Sequence, residues 1–121
     1  MGWGAAFGLV VWLGACSGGE DSSGDCHREP PVTWESWGHG FLDQQCTACH
    51  SSLVPEGQRN GAPPTVNFDT YADVLGLYDR IAARVAEGSM PPGGGASAAQ
   101  QALMAEWARC QLADDARVAT E

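Results

Sequence analysis

The chain contains no lysine, and its six basic residues are the scattered arginines Arg28, Arg59, Arg80, Arg84, Arg109 and Arg117. No basic run exists, which argues against nucleic acid as a partner. With 15 acidic residues and a formal charge of −9, the surface favours a partner with a basic docking face. Long apolar runs are also missing. Met1 to Ala15 is the most apolar stretch, and it falls short of the roughly 20 residues that a membrane-spanning helix needs. There is one CxxC and no paired-histidine motif, so the four ligands of a structural zinc site are not in view. No strand leads into that CxxC and no βαβ pattern surrounds it, which disfavours a thioredoxin-like dithiol. Outside one short stretch there are no paired carboxylates in a shared motif, no nucleophile with a plausible base and no phosphate loop.

At 121 residues the chain suits one domain preceded by short segments. Residues 1–15 are uncharged, apolar or small, and fit the apolar region and cleavage site of an export signal. The missing positive charge near Met1 departs from that pattern. The segment ends Leu13-Gly14-Ala15-Cys16 and resembles a bacterial lipobox, which implies that Cys16 is lipidated after removal of residues 1–15. Residues 16–29 begin with an acidic Ser/Gly run to Asp25 that holds no apolar residue after Cys16, and read as a flexible tether. Together these features imply a periplasm-facing domain anchored to a membrane through lipid. Ser17 rather than Asp after the cysteine leans towards the outer membrane, by resemblance to enterobacterial sorting rules.

Residues 30–121 read as an all-α domain. Thr33 is placed to cap a helix over 34 to 48 with an aromatic stripe of Trp34, Trp37 and Phe41, which core packing explains. Residues 51–69 form a long loop rich in turn formers. Thr70 and Asp73 make a variant capping box for the clearest amphipathic pattern in the chain: Tyr71, Val74, Leu75, Tyr78, Ile81, Ala82 and Val85. Gly88 fits its C-cap. Met90-Pro91-Pro92-Gly93-Gly94-Gly95 cannot continue a helix. Ser97 and Gln100 open a last helix, which carries Leu103, Met104 and Trp107 to about Leu112, and residues 113–121 are expected to fray.

The stretch that carries chemistry is Cys46-Thr47-Ala48-Cys49-His50. Two thiols three positions apart followed by an imidazole form the attachment signature of a c-type haem. Each sulfur adds to a vinyl group of the porphyrin, and the histidine falls under the iron as proximal ligand. Met90 lies in an irregular segment where core packing explains it poorly, and a thioether suits the iron of such a haem. The competing candidates for the sixth position are Met104, His27 and His39. Met104 sits on a core face, His39 precedes the motif on its own helix, and His27 lies in the tether. In an oxidising compartment Cys26 and Cys110 can pair, closing a loop of about 85 residues; the alternative is two independent thiols.

The order of CxxCH on a first helix, a loop, a central helix, Met90-Pro91-Pro92 and a terminal helix with a tryptophan resembles class I cytochrome c, in its small monohaem form. The resemblance spans roughly Val32 to Leu112. It implies three main helices with long loops around one covalently bound haem c per chain. It further implies Cys46, Cys49 and His50 at the attachment site and Met90 as second axial ligand. Gly38 and Leu42 match positions where the family's first helix crosses its last. A proline carbonyl, from Pro63 or Pro64, is expected to accept the hydrogen bond of the proximal imidazole. The implied activity is electron transfer between redox partner proteins rather than enzymatic turnover. The alternative is a haem-based sensor of small ligands, or an enzyme, with an open sixth position.

Overall fold

The computed structural model describes Met1 and residues 26–121. The expected leader over residues 1–15, the lipidated Cys16 and most of the tether lie outside the described residues. The described chain is helical, and no strand occurs among these residues.

A π-helical turn, Trp34–Gly38, runs into α1, His39–Gln45. The capping box that starts it joins Thr33 to Ser36: Thr33 Oγ1 accepts from the Ser36 amide, and Ser36 Oγ accepts from the Thr33 amide. The helix stops at Gln45 instead of continuing to residue 48. Cys46 leaves helical geometry at φ −123°, and residues 46–50 form a turn closed by the His50 amide donating to the Cys46 carbonyl at 2.8 Å.

The central amphipathic stretch contains two helices, α2, Tyr71–Leu75, and α3, Tyr78–Ala86. Thr70 and Asp73 form the expected capping box. Gly76 closes α2, and Leu77, at φ −134°, breaks the helical path before α3 begins. Gly88 ends the pair at φ +76°, a conformation that side chains with a Cβ rarely adopt.

The last helical run is longer than the pattern suggests. Ser97 and Gln100 cap α4, Ala98–Trp107, which passes through a π-helical turn, Ala108–Leu112, into α5, Ala113–Ala119. Residues 113–119 are therefore helical rather than frayed. Tertiary contacts hold them: Leu112 is fully buried, and the Tyr71 hydroxyl donates to Asp115 Oδ2 at 2.6 Å.

The core gathers Phe41, Leu42, Val74, Ile81, Val85, Met104, Trp107 and Leu112 from all three helical runs. Trp107 is its centre. Trp37 meets it edge-on at 6.1 Å between centroids, and Trp34 lies stacked at 6.3 Å. Its Nε1 donates to Gln111 Oε1 at 2.7 Å, and the same oxygen accepts from the Trp34 amide at 3.0 Å. Gly38 is where the first helical run crosses the last, because a Cβ there would overlap the Trp107 ring.

A disulfide joins Cys26 to Cys110. Beside it, Arg28 Nε pairs with Glu106 Oε1 at 2.8 Å. The described end of the expected tether, residues 26–29, is thus fastened to the terminal helix.

Candidate functional site

One cleft of about 430 Å³ is lined by residues between Gln45 and Pro92, from the end of α1 through the loop and the α2–α3 pair to the Met90 segment. That size lies within the roughly 300–1,000 Å³ typical of small-molecule sites. Its walls include Cys46, Cys49 and His50, Phe68 from the loop, Leu77 and Ile81 from the α2–α3 pair, and Met90-Pro91-Pro92. The break at Leu77 has a use here, because it delivers that side chain to the cleft. Three of the six arginines, Arg59, Arg80 and Arg84, also line it and give an acidic protein a locally cationic pocket.

The turn over residues 46–50 is positioned from α1. The Cys46 and Thr47 amides both donate to the Leu42 carbonyl, at 2.8 and 3.0 Å, and Leu42 is itself fully buried. The two thiols are free rather than bridged. Burial, reinforced by the neighbouring Cys49 thiol, pushes the Cys46 thiol up to about 11. A thiol-exchange dithiol needs the opposite shift, since its nucleophile is a stabilised thiolate.

His50 is held at both backbone and ring. Its carbonyl accepts from the Phe68 amide at 2.9 Å, and the Phe68 ring packs against the imidazole at 4.9 Å between centroids. Nδ1 lies 3.0 Å from the Val66 carbonyl oxygen. A carbonyl can only accept, so Nδ1 carries a proton, which in the neutral ring leaves the lone pair on Nε2. This is the tautomer that a metal-ligating imidazole takes when a backbone acceptor orients it. The acceptor is Val66, not Pro63 or Pro64. The Pro63 carbonyl is instead occupied by Arg59 Nη2 at 2.8 Å, and that of Pro64 accepts from Asn67 at 3.1 Å.

No family model, curated protein or solved structure matches this chain.

Met90 reaches the cleft on a loop fixed at its two ends. The Ser89 and Met90 amides donate to the Arg84 carbonyl at 3.1 and 3.2 Å, and the Gly95 amide donates to the Pro91 carbonyl at 3.1 Å. Gly95, at φ +75°, passes so close to Gly88 that a Cβ would press on its backbone. Met90 is 38 % exposed, which leaves its thioether unclaimed by the core. Met104, by contrast, is 1 % exposed among core residues and does not line the cleft. His39 lies outside the cleft as well and packs on Trp34 at 4.8 Å between ring centroids.

The loop between the motif and α2 holds a residue that the sequence pattern does not single out. Arg59 follows a 3-10 turn, Glu56–Gln58, and is 2 % exposed. Its guanidinium donates to the carbonyls of Ser51, Ala62, Pro63 and Val66 and to Asn67 Oδ1. One buried cation therefore gathers the loop around the acceptor that orients His50. Nearby, donation from the Ser51 hydroxyl and the Ser52 amide holds the Asp69 carboxyl below its usual range.

Among the described residues no cluster of three or more His, Cys, Asp or Glu side chains is arranged to hold a metal ion. Nor is any helix there long and apolar enough to cross a membrane. The donor set at the cleft is one imidazole, one thioether and two thiols. Imidazole and thioether are also the side chains that serve as axial ligands where a porphyrin supplies the other donors to iron.

Proposed function

We propose that this protein is a small monohaem c-type cytochrome that carries single electrons between partner proteins. The observation that carries the reading is the hydrogen bond from His50 Nδ1 to the Val66 carbonyl, in a cleft shared with Cys46, Cys49 and Met90. It presets the imidazole as a ligand through Nε2, directly after two thiols at attachment spacing.

In this reading Cys46 and Cys49 would hold haem c covalently, and His50 and Met90 would ligate its iron. Bound haem supplies an iron that cycles between two oxidation states one electron apart. The chain's own residues do the rest. Val66 orients His50, Phe68 fixes the plane of its ring, and the Arg84 carbonyl anchors Met90 by its amide. Leu77, Ile81, Val85 and Pro91 supply apolar wall that excludes water. Arg80 and Arg84 supply positive charge suited to a porphyrin's carboxylates. Two protein ligands would leave the iron no position for substrate, which favours a carrier over an enzyme.

The thioether is tested by the near-infrared charge-transfer band of the oxidised, matured protein. Met90→Ala is expected to abolish that band; an unaltered spectrum would remove Met90 from the iron.

The lipobox-like Leu13-Gly14-Ala15-Cys16 supports a periplasm-facing location with a lipid anchor. Acyl chains contribute about 0.8 kcal/mol per buried methylene, enough for stable anchoring when more than one chain is attached. Cys16→Ser is expected to release the protein from the membrane fraction, and unchanged retention would sink the anchor.

A further inference from the structure

Arg59 is neither a ligand candidate nor part of the attachment stretch, yet it is among the most buried side chains in the protein. Its five hydrogen bonds all go to neutral acceptors. Burying a guanidinium whose hydrogen bonds include no carboxylate is costly, and four of the five acceptors are not ones that His50 Nδ1 reaches. The fifth has a different character. Val66 O lies 3.0 Å from Arg59 Nη2 and 3.0 Å from His50 Nδ1, so one carbonyl serves a buried cation and the candidate axial imidazole together. Nη2 has two N–H groups and three acceptors within reach, namely Pro63, Val66 and Asn67. One proton is therefore shared, in a three-centre arrangement. Val66 O feels the positive charge whichever proton that is.

The electronic consequence follows from elementary hydrogen bonding. When Nδ1–H donates to a good acceptor, the ring gains imidazolate character and Nε2 becomes a stronger donor. A stronger donor stabilises the more oxidised metal. A cation on the same oxygen draws on its lone pairs and makes it a poorer acceptor, so the imidazole stays closer to neutral. The guanidinium charge also opposes a further positive charge in the adjoining cleft. Both effects have the same sign.

We propose that Arg59 is a positioning residue that tunes the proximal ligand. By donating to the oxygen that orients His50, it restrains the basicity of the imidazole and holds the reduction potential of the site up. The proposal rests on His50 being an axial ligand of a haem.

The test uses the full-length, matured protein, its Arg59→Gln and Arg59→Lys variants, and a spectroelectrochemical titration of each. In Arg59→Gln the midpoint potential is expected to fall. At a fixed poise the reduced-to-oxidised ratio drops by about tenfold, equivalent to about 59 mV for a one-electron couple. Arg59→Lys keeps the charge but loses the planar fork, and is expected to fall by less. In the reduced protein the His50 Nδ1–H proton resonance is expected to move downfield in Arg59→Gln, as its hydrogen bond strengthens. A residue that only staples the loop would lower unfolding stability and leave both potential and resonance unchanged. That outcome, with haem attached and the methionine band intact, overturns the proposal. Should Arg59→Gln fail to accumulate, Arg59→Lys decides: a potential below wild type supports the tuning role, and an equal potential overturns it. A wild-type protein that acquires no covalent haem overturns the underlying reading as well, a result readily told apart from an unchanged potential.

Discussion

Two glycines in the first helical run, two positions apart, are expected to respond to the same substitution with opposite signs. Gly40 has nothing within 4 Å of where a Cβ would stand, so Gly40→Ala adds no clash. It should stabilise the fold by about 0.5–1 kcal/mol, because alanine loses less backbone entropy in a helix. Gly38→Ala gains the same helix term but drives a Cβ into the Trp107 ring, with Cε2 only 2.8 Å away. That ring cannot yield. It is fully buried, tethered to Gln111 and flanked by Trp34 and Trp37. Overpacking of this kind costs about 1–3 kcal/mol, and so deep an overlap belongs in the upper half of that range. The net loss for Gly38→Ala is therefore about 1–2 kcal/mol, which places the two variants roughly 2–3 kcal/mol apart. Urea unfolding of the matured protein measures this as midpoints on either side of wild type at similar slope. A Gly38→Ala midpoint at or above wild type would refute the close crossing of the first and last helical runs.

Removing the Cys26–Cys110 bridge by a double serine substitution frees a loop of sequence separation 84. The chain-entropy model assigns about 4–5 kcal/mol to that closure, and urea midpoints measure the loss; two alkylatable thiols in the unreduced wild type, seen by mass spectrometry, would contradict the bridge. Tyr71 offers a pH signature. Burial, then its bond to Asp115, raises its phenol above the ordinary range. The folded-state value exceeds the unfolded one, so this contribution is complete below pH of about 10 and declines as pH rises beyond it. Tyr71→Phe should flatten the alkaline loss of stability, and an unchanged pH profile would count against that contact.

Local chemistry made part of this structure legible in the sequence. The capping boxes at Thr70–Asp73 and Ser97–Gln100 involve residues three apart, and both form. Gly88 marks a helix end because its positive φ is a property of one residue. What depended on distant partners was hidden. Ala113–Ala119 looks frayed until Tyr71 reaches Asp115 across the fold. At the end of the tether the pairing of Cys26 with Cys110 was one of two readings open in the sequence, and the structure forms it, whereas the Arg28–Glu106 pair beside it carried no signal.

At the cleft, side-chain donors carried a sequence signal and backbone acceptors did not. Cys46, Cys49 and His50 form a motif, and Met90 stands out beside two prolines. The carbonyl that orients His50 could belong to any residue of the loop. Proline was the expectation, but the imidazole meets the Val66 oxygen, which it shares with Arg59, while Arg59 also holds the Pro63 oxygen. Arg59 itself gave no sign, because a single arginine among turn formers has the composition of a solvated loop. Only its burial and its five neutral acceptors set it apart.

The most direct test of the account is an absorbance spectrum of the matured, reduced protein with and without carbon monoxide. A covalently bound haem whose spectrum carbon monoxide leaves unchanged is the predicted result, with His50 and Met90 both on the iron. Rapid, tight carbon monoxide binding would contradict the six-coordinate carrier in favour of an open site, and the absence of covalent haem would contradict the account at its root.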